Sequence, residues 1–379
     1  MFRFLRLLNG CFFATLFLAA ACCRAESDAV VYLSPTAIAE SKAMRAIAES
    51  REGKLFYAML VDKLDANYLE ATQSPDFPAA FDAWFQNSVK KALGKETLSS
   101  ADLIEGFFTH VHHLLFEIDL TPQGKFDLLN KIDLQGVFSA ELGFDPRLLA
   151  GVLEFGKEGK DYRFVRNDSE MVILSDNEEK IFAGGVRRKT DASRFVIAVG
   201  LKREVVEQKL TAARQGDVLV PAGMEKTLVG MRCSRALKEK VVEDILLKNK
   251  EANQDQEQTG TRQHLAILEK FESLEFTVAD QETTTVMRWR VAASDAKNAK
   301  LLRQMIDGGL AMLLFLADSK ELTGNEKRAV EVLHAITTGC EGSSVSVTLP
   351  IDEAMIELIR FGLDEGYIKM WATIRNKSD

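Results

Sequence analysis

The chain has 379 residues, 46% hydrophobic and 27% charged, with 24 Gly, only 7 Pro and a net charge of -8. That composition excludes a collagen, a disordered tract and a disulfide-stapled miniprotein, and the length suits two domains of ordinary size. An acid surplus argues against a nucleic-acid binder, which needs Lys and Arg to neutralise phosphates.

Residues 1–25 read as an export signal. Arg3 and Arg6 give a positive start, Leu7 to Ala21 form an apolar stretch broken by Asn9 and Gly10, and Cys23-Arg24-Ala25 resembles a small-x-small cleavage site. The stretch falls short of the roughly 20 residues that a membrane span needs. Ala19-Ala20-Ala21-Cys22 also offers Cys22 as a position for a lipid anchor. Cleavage after Ala25 removes three Arg and no acid, which takes the net charge to -11. Such a chain is expected to be soluble and repelled by an anionic membrane surface. It keeps Cys233 and Cys340, read here as two unpaired, buried thiols.

In chain order, Ala29 to Leu33 is a short strand, and helices are expected over 36–50 and 54–69. Between Asp76 and Gly94 a further helix places Phe81, Trp84, Phe85 and Val89 on one face, the side that seeks a core. Ser99-x-x-Asp102 has the form of a capping box ahead of Leu103, Ile104, Phe107 and Phe108. From Leu114 the period shortens. Strands are expected over 114–120 and 136–144, then a helix from Asp145-Pro146, then a meander of short strands over 162–165, 171–174, 180–186 and 195–199. An amphipathic helix over 202–214 closes the block.

Gly216, Pro221 and Gly223 mark a boundary, giving expected domains of 26–215 and 216–379. Residues 224–250 read as mainly helical, and 251–262 as a polar linker or helix extension. A hairpin over 274–278 and 284–292 follows, and Ser294 caps a long helix to Asp318. Its apolar run Leu310 to Ala317 is too short to cross a bilayer and is expected in the core. Thr323-x-x-Glu326 opens a helix to Ile336, Ser344 to Leu349 is a strand, and Asp352 caps a last helix through Phe361. The C-terminal order is ββααβα. Without a strict strand-helix repeat, the class is α+β: two blocks of mixed, mainly antiparallel sheet with packed helices.

The opening Asp28-Ala29-Val30-Val31-Tyr32-Leu33, the helix start Asp295-Ala296-Lys297-Asn298-Ala299 and the strand Ser344-Val345-Ser346-Val347-Thr348 resemble exported proteins of planctomycete- and verrucomicrobium-type bacteria. The resemblance rests on apolar patterns and covers most of the exported chain. It implies export and brings no catalytic or binding residues.

Chemical motifs are few. Gly151-x-x-x-x-Gly156-Lys157 has the outline of a phosphate loop, but Glu158 stands where Ser or Thr must hold magnesium. There is no Gly-x-Ser-x-Gly, and Cys340 sits beside Glu341, which opposes a thiolate. His110, His112 and His113 form the one cluster with metal-ligand character, with Glu117 and Asp119 near in sequence. Zinc or copper needs three or four converging ligands, and a bland helix-to-strand junction accounts for the same residues. Arg187-Arg188-Lys189 reads as a solvated turn. Arg288 and Arg290 share a strand face opposite Trp289, a solvated sheet face over a buried ring.

The reading is an exported, non-catalytic envelope protein, periplasmic or lipid-anchored, that binds another envelope protein or a small ligand. It expects no cofactor, no nucleic acid and no transmembrane span after cleavage. The alternative is a metal-dependent envelope enzyme or metal-binding protein using His110, His112 and His113.

Overall fold

A computed structural model describes residues 29–73, 90, 94–96, 99–120, 134–143, 162–167, 170–176, 178–216, 220–221, 223–233, 270–281, 284–318, 322 and 324–363. The export segment, the helix expected around Trp84, the Gly151–Lys157 segment, the polar stretch 251–262 and His264 lie outside the described residues. The fold is α+β: antiparallel sheet with helices packed on it.

In the N-terminal part, strand β1 (Ala29–Leu33) leads into helices α1 (Pro35–Glu40), α2 (Lys42–Glu49) and α3 (Arg51–Gln73). The single helix expected over 36–50 is thus two. Ser41 interrupts it with an extended backbone (ψ 131°), and its amide donates to the carbonyls of Ala37 and Ile38. Helix α4 (Ser100–His110) carries the expected capping box: the Ser99 amide donates to the Asp102 carboxylate at 2.9 Å, and the Asp102 amide donates back to Ser99 Oγ at 3.2 Å. The serine bonds and Lys95 hold the Asp102 pKa down to about 2. Strand β2 (Val111–Leu120) follows without a linker, then β3 (Leu134–Leu142), β4 (Tyr162–Asn167), β5 (Met171–Asp176), β6 (Phe182–Arg187), β7 (Phe195–Gly200) and helix α5 (Arg203–Gln215).

Beyond α5 come strands β8 (Thr227–Cys233), β9 (Phe271–Asp280) and β10 (Thr285–Ala293), and helices α6 (Ala296–Asp318) and α7 (Gly324–Ala335). Strands β11 (Thr337–Glu341) and β12 (Ser344–Ile351) and helix α8 (Glu353–Gly362) complete the described chain. Two expectations change. Residues 227–233 form a strand where a helix was read, because antiparallel pairing with β9 satisfies their backbone and buries both faces of the run. β11 was not foreseen; it pairs with β12 through the turn at Gly342, whose φ of +57° suits glycine.

The chain divides into two compact units. The C-terminal unit consists of Lys226–Leu358 with strand segments ending at Tyr32 and lying between Phe116 and Gly136. Its strand order is β11-β12-β10-β9-β8-β1, antiparallel wherever a register is defined. Helix α6 seals one patch of it, where Ala299 and Leu302 pack with Ala293 and Val345 against Ile306 and Cys340. Cys233 is buried and Cys340 half-buried, and both are thiols.

The N-terminal unit holds β3-β7-β6-β5-β4 in that order, again antiparallel. Helix α5 lies on one sheet face, and Val206, Leu210 and Ala213 meet Val137, Ile173, Phe182, Val186, Val196 and Ala198. Gly184 allows that close approach: a Cβ there would stand 2.7 Å from both Leu210 Cδ1 and the Val172 carbonyl oxygen. The helix stops at Gly216, whose φ of +115° is the left-handed turn that ends many helices.

Candidate functional site

The three histidines sit where α4 becomes β2. His110 is the last helical residue, and His112 and His113 are in the strand, where adjacent side chains leave on opposite faces. The Gly143 amide donates to the His110 carbonyl at 2.7 Å and ties down the helix end. The His112 ring occupies the space over Gly143, with Nε2 2.9 Å from where a Cβ would be. Ser34 Oγ donates to the His112 carbonyl at 2.9 Å. Among the described residues, no group of three or more His, Cys, Asp or Glu side chains is placed to hold a metal ion. Glu117 lies further along β2, and the Asp119 side chain is outside the described part.

Beside the histidines is a buried ion pair that the sequence did not suggest. Glu141, on β3, is on the face covered by α5, level with Val196 and Val186. Its side chain is 3% exposed, and Arg188 Nη1 donates to it at 2.9 Å while itself only 10% exposed. Arg188 Nη2 donates to the Gly216 carbonyl at 2.9 Å, placing positive charge at the negative end of α5. Arg194 stands 3.8 Å from the same carboxylate. The loop from β6 to β7 delivers both arginines: the Arg188 amide donates to the Arg194 carbonyl, and the Asp191 carboxylate accepts from the Ser193 amide and hydroxyl. Arg188 therefore leaves the solvated turn read from Arg187-Arg188-Lys189 and enters the core edge. Arg187 stays exposed, its guanidinium 4.9 Å from the Phe195 ring centre.

This setting keeps two imidazoles neutral. Burial, then the nearby Arg194, lowers the pKa of His112 and of His113 to about 4. Glu141 opposes the shift at His112, and Arg188 adds to it at His113. Because each folded pKa lies below the ordinary 6.5, the neutral rings contribute stability that is full above pH 6.5 and is lost as pH falls toward 4. The more deeply buried His113 carries the larger part of that acid-side loss. Urea midpoints at neutral pH and near the lowered pKa should show that loss, and His113→Gln should flatten it. An unchanged pH slope in the variant would contradict the assignment.

The other candidate is a surface. Helix α6 presents one side to the sheet and leaves the opposite side open. On the open side Met312 is 64% exposed, Phe315 74% and Leu316 47%, with Leu301 and Met305 also exposed. At 100° per residue these five fall along one stripe. Gly308 lies within it, and nothing comes within 4 Å of a Cβ built there or on Gly309. The run Leu310 to Ala317, expected in the core, thus buries one side only. Among the described residues, no helix is long and apolar enough to cross a membrane.

The remaining basic face is solvated as read, but the ring behind it is half-buried where a buried one was expected. Arg288 and Arg290 are exposed, Arg290 Nε donates to Ser344 Oγ at 2.8 Å, and the half-buried Trp289 ring lies 5.2 Å from that of Phe276.

No family model matches the chain, and no curated protein matches it significantly. Among solved structures it is similar to TP0453 in crystal form III, with TM-score 0.33 and 7% identity over 90% of this chain and 97% of the other. Crystal form IV gives 0.34 and 7% over 90% and 96%, and form I gives 0.31 and 9% over 90% and 96%.

Proposed function

We propose that this chain is an exported envelope protein that works by binding, without chemistry of its own, and that it binds through the open side of α6. The observation that carries this is the exposure of Met312 and Phe315 on a helix whose residues from Gly308 to Ala317 include no charge. Isolated apolar side chains are ordinary on protein surfaces. Five on one line, all of them Met, Phe or Leu beside bare glycines, are the mark of a contact surface. Export rests on the charge and apolar pattern of residues 1–25, and the periplasm or envelope is the location that follows from it.

The test is an environment-sensitive apolar dye such as anilinonaphthalene sulfonate. The wild-type chain should enhance its fluorescence, and a Met312→Ser/Phe315→Ser variant should lose most of that signal. Stability should change by no more than about 0.5 kcal/mol, as for other exposed replacements. A variant that kept the full dye signal would overturn the assignment of the surface.

A further inference from the structure

We infer that the partner of this surface is an anionic lipid bilayer, an inference that rests on the reading of α6 as a binding surface. The stripe is the convex side of a single helix, and it has the two halves that interfacial helices combine. Toward its C-terminal end, Met312, Phe315 and Leu316 supply bulky apolar contact in a segment without charge. Toward its N-terminal end stand Lys297, on the stripe, and Lys300, on its flank. Lys297 precedes Phe315 by 18 residues, five turns of helix, so the two share one meridian.

The two acids nearest these lysines in sequence are engaged. Asp295 accepts from the Asn298 amide at 2.7 Å, and Asp307 accepts from the Thr338 hydroxyl at 2.6 Å and pairs with Arg303 at 3.4 Å. Lys297 and Lys300 are exposed and take part in none of the ion pairs among the described residues. Two exposed lysines thus face outward beside an apolar ridge on an exported chain of net charge -11. The net repulsion decays over a Debye length of about 10 Å, so at contact the lysines decide the sign.

A second copy of the chain suits the face poorly. Antiparallel pairing would bury each lysine end against the uncharged end of its partner, and parallel pairing would set lysine against lysine. The chain start fits a bilayer instead. β1 belongs to the same unit as α6 and begins seven residues after Cys22, so an anchor there would hold the unit within about 25 Å of the membrane.

Vesicle flotation tests this with the chain from Glu26 onward, which lacks Cys22, so that any binding is its own. The chain should float with vesicles of mixed phosphatidylglycerol and phosphatidylcholine and much less with phosphatidylcholine alone. Met312→Glu/Phe315→Glu should lower partition by about tenfold or more, and Lys297→Ala and Lys300→Ala each by roughly fivefold. Absence of flotation with both vesicles, or flotation indifferent to all these replacements, would overturn the inference. If flotation fails while the dye response of the face persists, the surface stands and its occupant is not lipid. If both fail, both readings fall. Self-association abolished by Phe315→Glu, without flotation, would assign the face to a second copy and overturn the lipid partner.

Discussion

Replacing Glu141 by Ala should cost the N-terminal unit about 3–5 kcal/mol, since it strands the arginine of a buried pair. The carboxylate is 3% exposed and Arg188 is 10% exposed at 2.9 Å, so little water is at hand to compensate either charge alone. Arg188→Met should do comparable damage from the other side: it leaves Glu141 buried and also removes the donor to the Gly216 carbonyl that ends α5. Arg194, at 3.8 Å, softens that second loss without replacing the hydrogen bond. Glu141→Leu combined with Arg188→Met should fall much nearer wild type, because an apolar pair of similar volume carries no desolvation penalty. Urea unfolding of the two single variants and the double variant closes the cycle. Single losses below about 1 kcal/mol, or strictly additive ones, would show that the pair is not structural.

The histidines beside this pair lie at the junction of α4 and β2, where among the described residues no group of three or more ligands converges to hold a metal ion. Their rings are kept neutral by burial and by Arg194, with Arg188, which also bonds the α5 terminus, adding to the effect at His113. The junction of α4 and β2 was legible as a polar helix-to-strand transition. What the sequence could not show is that Glu141, 28 residues after His113, and Arg188, 47 residues after Glu141, come together there. That meeting depends on β3 pairing with β7 and β7 with β6, a register set by tertiary contacts. One local hint existed: an acid at position 141 between Ala140 and Leu142, on a strand with no other charge, asks for a buried partner.

Local signals were read well where side chain and backbone bond within one turn. Ser99 and Asp102 form the box that their spacing announces; Gly216, read from the sequence as a boundary residue, turns out to end α5 in a left-handed conformation. The hairpin of β9 and β10 and the strand β12 follow from their β-branched runs. Readings failed where the pattern was ambiguous. Thr227 to Cys233 is a continuous apolar run interrupted only by Gly230 and Arg232, which suits helix or buried strand until a neighbour is present. Thr337 to Glu341 is short and lacks alternation, so only its pairing with β12 defines it. The α6 stripe escaped for a related reason. From Gly308 to Ala317 every side of the helix is apolar, so periodicity cannot say which side the sheet will take.

That open side is the centre of the account, and its expected behaviour is all-or-none. A photo-crosslinking residue at position 315 stands on a side chain position 74% exposed, in the middle of the uncharged run. The same residue at Leu302, which is 8% exposed and packed on Val345, faces the chain's own sheet. Irradiating cells that export the two proteins should yield an intermolecular adduct, to lipid or protein, from position 315 and none from position 302. A Met312→Glu change in the same chain should abolish the adduct, since a buried carboxylate opposes any apolar contact. Intermolecular adducts at 315 that Met312→Glu removes are the result this account predicts. A position 315 that crosslinks to nothing outside its own chain would contradict it.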